Sequence, residues 1–287
     1  MKTILLATDF SASAKDAARY GFDLACQIKA KIIIVNAMII AAEMPQSGFA
    51  YWPGEEFDGL LHDYEAELQH FKSELEAGVE PGAYCPPVQC INEAGRFTDV
   101  IIKAVAENKA DLVVIGTHRG GLLSRLLIGN HAEQLMDATT GPLLIVKPGT
   151  VFQPVKKIAY ATEFMDPKKD LEIIYRLVAW AKLLKAGILL AHVTHKPELA
   201  DHVKKTLGEY LTELSNKANY PNIYYRLIYN DKTEAGLTWL CEHGQVDMLA
   251  MAHRSRHLPA EIFGHSHTKS MNELSELPLL VFPLIDN

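Results

Sequence analysis

The sequence lacks the features that mark most chemistries. Its only cysteines are Cys26, Cys85, Cys90 and Cys241, and none stands in C-x-x-C spacing. Two lie on apolar helical patterns, which predicts buried free thiols. Nothing supports a redox pair of Cys85 with Cys90, which merely flank PPVQ at a strand start. There is no basic excess: the formal net charge of −7 argues against a general nucleic-acid binder. Long apolar runs are missing too. The longest are strand-sized and no charged start leads into an apolar signal core, so no membrane span is expected and the prediction is a cytoplasmic protein. No G-x-x-x-x-G-K-[ST] phosphate loop, G-x-G-x-x-G fingerprint or G-x-S-x-G elbow occurs. No histidine is placed by sequence next to a serine or cysteine nucleophile, so no catalytic residue is assigned.

What is present is length and alternation. A chain of 287 residues, 48% apolar and 22% charged, allows one large globular domain or two ordinary ones. Short apolar runs alternate with longer helical patterns: KTILLATDF, SASAKDAARYGFDLACQIKA, KIIIVNAMI, LLHDYEAELQHFKSELEAG, PVQCIN, RFTDVIIKAVAENKA, DLVVIG and GPLLIVKP. Strands rich in Ile, Leu and Val without polar alternation are buried on both faces. The order βαβαβαβαβ therefore predicts an α/β fold, an open, doubly wound parallel sheet.

After Pro148 the order starts again. ILLATDFS is echoed by IAYATEFM, IIIVNAMI by ILLAHVTH, DLVVIGTHRG by DMLAMAHRSR, and GPLLIVKP by LPLLVFPL. Echoes in the same order mark an internal duplication. KPGTVFQPVKK reads as the linker, which predicts tandem domains over 1–150 and 151–287. Only the first half carries AAEMPQSGFAYWPGEEFDG, whose aromatics either cover a ligand or pack on the partner domain.

The opening KTILLATDFSASAKDAARYGFDLA, the closing GPLLIVKP and the glycine loop IGTHRGGLLSRLLIGNHAEQL between them resemble the universal stress protein family, once per half. The resemblance implies two tandem five-stranded α/β domains of an adenine-nucleotide-hydrolase-like fold. Family members that bind ATP carry G-x2-G-x9-G-[ST] after the fourth strand and an aspartate ending the first. In open α/β sheets a ligand sits beyond the carboxyl ends of the strands, where strand order reverses. A loop there offers backbone N–H groups and a helix N-terminus to phosphate.

Against that pattern Gly116 takes the first glycine and Gly129 the third, while Arg119 stands at the second and Asn130 at the Ser/Thr position. A side chain at a left-handed second position costs about 1–2 kcal/mol, which a one-residue shift onto Gly120 relieves. Asn130 can cap a helix, with Glu133 completing N-x-x-E, and Arg119 and Arg125 can offset phosphate charge. The resemblance further places Asp9 near ribose or metal and the backbone of Ala37 at adenine. A structural reading stays open: Gly116 ends a strand, Gly129 and Asn130 start a helix, and Asp9 bonds the following turn, with Ser11 a competing N-cap. The second half departs further, with Ala252 for the first glycine, Glu163 for the aspartate and Pro259 within the loop.

The histidines of HRSRHLPAEIFGHSH do not by spacing make a metal site, and no metal ligand is assigned. The expectation is a non-catalytic stress-response protein whose first domain binds ATP, with magnesium only alongside a triphosphate. The residues leave open a slow ATP-hydrolysing enzyme, with His118 or His131 orienting water, and a ligand-free interaction scaffold. The family pairs its last strands across a dimer interface, so LLIVKP and LLVFPL are expected to pair within this chain. A homodimer is left open.

Overall fold

The computed structural model describes residues 1–38, 54–117, 134–139, 141–162, 167–195, 205, 208–209, 211–213, 217, 219–253 and 277–283. The first half runs β1 (Thr3–Thr8), α1 (Ala12–Ile28), β2 (Lys31–Met38), α2 (Gly54–Ala77), β3 (Val88–Ala94), α3 (Phe97–Asn108), β4 (Leu112–Gly116) and β5 (Leu143–Val146). The second runs β6 (Lys157–Ala161), α4 (Pro167–Leu184), β7 (Gly187–Thr194), β8 (Ile223–Tyr229), α5 (Thr233–His243), β9 (Met248–His253) and β10 (Leu279–Pro283). All join one ten-stranded sheet in the order β3-β2-β1-β4-β5-β10-β9-β6-β7-β8. Pairing is parallel except at the centre, where β10 runs antiparallel to β5 with Leu279 opposite Ile145, Leu280 opposite Leu144 and Val281 opposite Leu143. Strand order on one side of that seam is therefore the mirror of the order on the other.

The apolar runs form the sheet because both faces are covered. Every residue of β1 is buried. Ile4 and Leu6 face α1 in one cluster, while Leu5 and Ala7 face α3 in the other. Each cluster crosses the seam: one runs from Ile4 to Phe282 and the other from Leu5 to Val281. Truncating such a leucine to alanine typically costs about 2–5 kcal/mol.

Helix α1 is an alanine-rich run whose buried side recurs at Ala14, Ala17, Ala18, Gly21, Leu24 and Ala25. Ser11 caps it, accepting the Ala14 N–H, and Lys29 ends it in the left-handed conformation at φ 55°. The small residues let the helix lie close on the sheet: a Cβ on Gly21 would stand 2.5 Å from Leu6 Cδ2.

The connecting segment is strapped to α1. Asp16 accepts the Gly149 N–H at 2.9 Å, and Tyr20 meets Phe152 edge-on at 5.1 Å. The Gln27 amide accepts the Val155 N–H at 3.1 Å and donates to the Val155 and Leu184 carbonyls at 3.3 Å. Lys2 lies over the Trp180 ring of α4, 5.7 Å from its centroid.

The cysteines are free but not buried as expected: Cys85 is exposed and the other three are half-buried. Cys26 lies in the last turns of α1 and Cys241 in those of α5, and Cys90 is on the edge strand β3, so each has solvent on one side.

Candidate functional site

In the first half β1 is followed on one side by β2 and on the other by β4, so the strand order reverses between β1 and β4. That is where open α/β sheets place ligands. Thr8 pairs with Asn36 at the carboxyl ends of β1 and β2, and Gly116 pairs with Val146 at those of β4 and β5. Asp9 follows β1, Ala37 is the penultimate residue of β2 and Gly116 the last of β4. These candidates share one edge. Arg119, Gly120, Gly129 and Asn130, with His118 and His131, lie outside the described residues, as do Glu163 and residues 41–53 of the aromatic insertion, whose end, 54–59, opens α2.

The turn after β1 is organised by side chains. Asp9 Oδ1 accepts the Ser11 N–H at 3.0 Å and the Ser11 hydroxyl at 2.5 Å, and Ser11 Oγ accepts the Ala14 N–H at 3.3 Å. The structural role of Asp9 and the capping role of Ser11 are thus one arrangement, and Asp9 remains exposed. Thr8 Oγ1 accepts the Phe10 N–H at 2.9 Å, which holds Phe10 at φ 61°. The ring of Phe10 stacks on Tyr64 and meets Phe71 edge-on.

Gly116 has a steric reason to be glycine. A Cβ there would overlap the Ser13 carbonyl oxygen, lying 2.7 Å from its carbon and 3.1 Å from Ala14 N. The end of β4 is pressed against the first turn of α1. The same packing brings the N-terminus of α1, whose N–H groups attract negative charge, beside the strand ends.

Sequence reasoning missed a polar pair at this edge. Asn36, 2% exposed and following the apolar run Ile32–Val35 of β2, donates from Nδ2 to Asn92 Oδ1 at 3.0 Å across β2 and β3. Asn92 Nδ2 is buried without a hydrogen-bond partner. A polar residue within IIIVNAMI was the available signal. The second half has no such pair, because His192 and Leu227 occupy the paired register positions. There His192 Nδ1 donates to the Thr162 carbonyl at 2.9 Å.

Ala252 stands where β9 repeats Gly116, and His253 follows it. His253 is buried, with Nε2 3.4 Å from Asp137 Oδ1 in the helical stretch 134–138 of the first half and Nδ1 without a hydrogen-bond partner. His257, His265 and His267 lie outside the described residues, among which no group of three His, Cys, Asp or Glu could hold a metal. No helix of the described residues is long and apolar enough to cross a membrane.

Comparison with known proteins adds a family. A sequence model described as the universal stress protein family matches residues 1–147. A curated Thermus aquaticus relative, described as a universal stress protein in the QAH/OAS sulfhydrylase 3'region, is 28% identical over 148 residues, 51% of this chain and 98% of its own. Among solved structures, a universal stress protein from Archaeoglobus fulgidus aligns over 99% of this chain and 97% of its own, at 17% identity and a TM-score of 0.65. At that identity the likeness is one of fold.

Proposed function

The chain belongs to the universal stress protein family, and from that premise we propose a non-catalytic stress-response protein whose first unit holds an adenine nucleotide. Its units are residues 1–150 and 151–287, and only the first keeps enough of the strand-end chemistry to bind. The observation that carries this reading is the shared carboxyl edge of β1, β2 and β4, where order reverses and where Asp9, Ala37 and Gly116 lie together.

The residues present fit such a ligand. Asp9 is exposed and its carboxylate is fixed in direction by Ser11, which suits an acceptor for ribose hydroxyls or a magnesium ion. Ala37 carries only a methyl group, leaving the β2 backbone open to a flat base. Gly116, Arg119, Gly120, Gly129 and Asn130 are the phosphate-side residues of the proposal, with backbone N–H groups and guanidinium charge as the binding chemistry. Magnesium enters only with a triphosphate. Occupancy then acts on partner contacts rather than through turnover.

The test is to denature freshly purified protein and identify released small molecules by mass spectrometry. ATP, ADP or AMP in near-stoichiometric amount supports the reading, and Gly129→Val is then expected to empty the site. A protein that carries none, and binds no added ATP with magnesium, overturns it and leaves an interaction scaffold.

A further inference from the structure

A cavity of about 330 Å3 lies away from the proposed nucleotide edge, walled by Tyr20 of α1, by Thr150 and Gln153 of the connecting segment, and by Asp247 and Pro278 ahead of β9 and β10. Tyr20 is 2% exposed and forms part of the cavity wall. Burial, and then the nearby Asp247 charge, hold that phenol protonated far above its usual range. Thr150 Oγ1 is buried without a partner. The wall is thus polar, and the Thr150 hydroxyl in it is a buried group left unmet, a costly state when nothing fills the cavity.

The internal repeat shows what is missing. Asp111 precedes β4 as Asp247 precedes β9, and each donates its N–H to the first strand of its half, to Thr3 O at 2.8 Å and to Lys157 O at 2.9 Å. Asp111 Oδ2 accepts the Thr3 N–H at 2.8 Å, and its Oδ1 takes the Lys2 ammonium at 2.6 Å. Asp247 Oδ2 accepts the Lys156 and Lys157 N–H groups, both at 2.8 Å, while Oδ1 has no partner among the described residues. Lys156 holds the place of Lys2 in the repeat, yet it reaches the carboxylate through its backbone, not its ammonium. The first half satisfies this carboxylate with a cation from its own chain. The second lines a cavity with it.

We propose that the cavity binds a small organic cation with a primary ammonium group, seated on Asp247 Oδ1 and within reach of the Tyr20 hydroxyl oxygen. An ammonium has three donors and no acceptor, which suits a wall offering a carboxylate and hydroxyls. The volume lies at the low end of the roughly 300–1,000 Å3 of small-molecule sites, ample room for a short alkyl diamine. Because α1, the connecting segment and the second half each supply a wall, the ligand would fasten the segment joining the two units. This site does not depend on the nucleotide reading.

The experiment is calorimetric titration of the intact protein with 1,4-diaminobutane, with 1,4-butanediol and butyrate as uncharged and anionic controls. Saturable binding of the diamine alone is expected. Tyr20→Phe should weaken it about tenfold, as for the loss of one hydrogen bond to a charged group. Asp247→Asn should abolish it, and Asp111→Asn, where Lys2 already occupies the carboxylate, should leave it unchanged. No saturable heat with the diamine, equal affinity for the diol, or unchanged affinity in Asp247→Asn overturns the proposal. Should Asp247→Asn fail to fold by circular dichroism, Tyr20→Phe decides, and unchanged affinity there is equally fatal.

Discussion

At the scale of single residues, Gly116 shows how one position can serve packing and invite a ligand at once. Because a Cβ would meet the Ser13 carbonyl and Ala14 N, Gly116→Ala is expected to destabilise the protein by about 1–3 kcal/mol, as overpacking does. Gly59, in α2, is the control, since a methyl group added there would meet nothing within 4 Å. Gly59→Ala should stabilise by about 0.5–1 kcal/mol. Urea denaturation of both variants checks the pair, and equal effects would refute the steric account. Nucleotide loss in Gly116→Val would therefore not place the ligand, whereas Gly129→Val probes the loop away from this contact. The thiols carry a pH prediction. Burial pushes Cys241 up to about 12 from its usual 9.0, against the pull of Lys147. The folded state holds that proton more tightly than the unfolded chain, so the stabilisation is full below pH 9 and is lost as pH climbs towards 12. Cys241→Ala should flatten the alkaline decline in denaturation midpoint. For the same reason alkylation near pH 8 should reach exposed Cys85 well before Cys241.

Elements were legible where one physical signal dominated. Both-face burial made β1, β2, β4 and β5 readable as apolar runs, and Ser11 marked the start of α1. The sequence did not show what depends on contacts between distant segments. The close packing of Gly116 on Ser13 was not legible, because Ser13 is far away in the chain and nothing local announces it. Asn36 and Asn92 meet only through the β2–β3 register. The strap of the connecting segment onto α1 was equally hidden, since Gln27 reads as an ordinary polar helix residue. Gln27→Ala removes an amide that satisfies the Val155 N–H and carbonyl, and a stranded buried group costs about 1–3 kcal/mol. Lower stability and faster proteolysis within residues 147–156 are expected. Unchanged proteolysis would mean that Asp16 and Tyr20 hold the segment without it.

For the molecule as a whole, the β5–β10 seam and the two apolar clusters that cross it join both halves in one core. A fragment of residues 1–150 would bare the unpaired edge of β5, and such edges recruit other strands. Light scattering should find that fragment associated at concentrations where the full chain is not. A monodisperse monomer would show that β5 is protected by other means. The same seam has a hereditary consequence. When two identical subunits meet across a two-fold axis, every substitution lands on both sides and must suit itself. Here Leu143–Val146 and Leu279–Pro283 are written separately in one gene, so each side can change alone. His253 can face Asp137 across the middle while its repeat counterpart, Thr117, has no duty to do the same. Selection can then act on each unit separately, leaving one free to keep a ligand and the other to take up a different task.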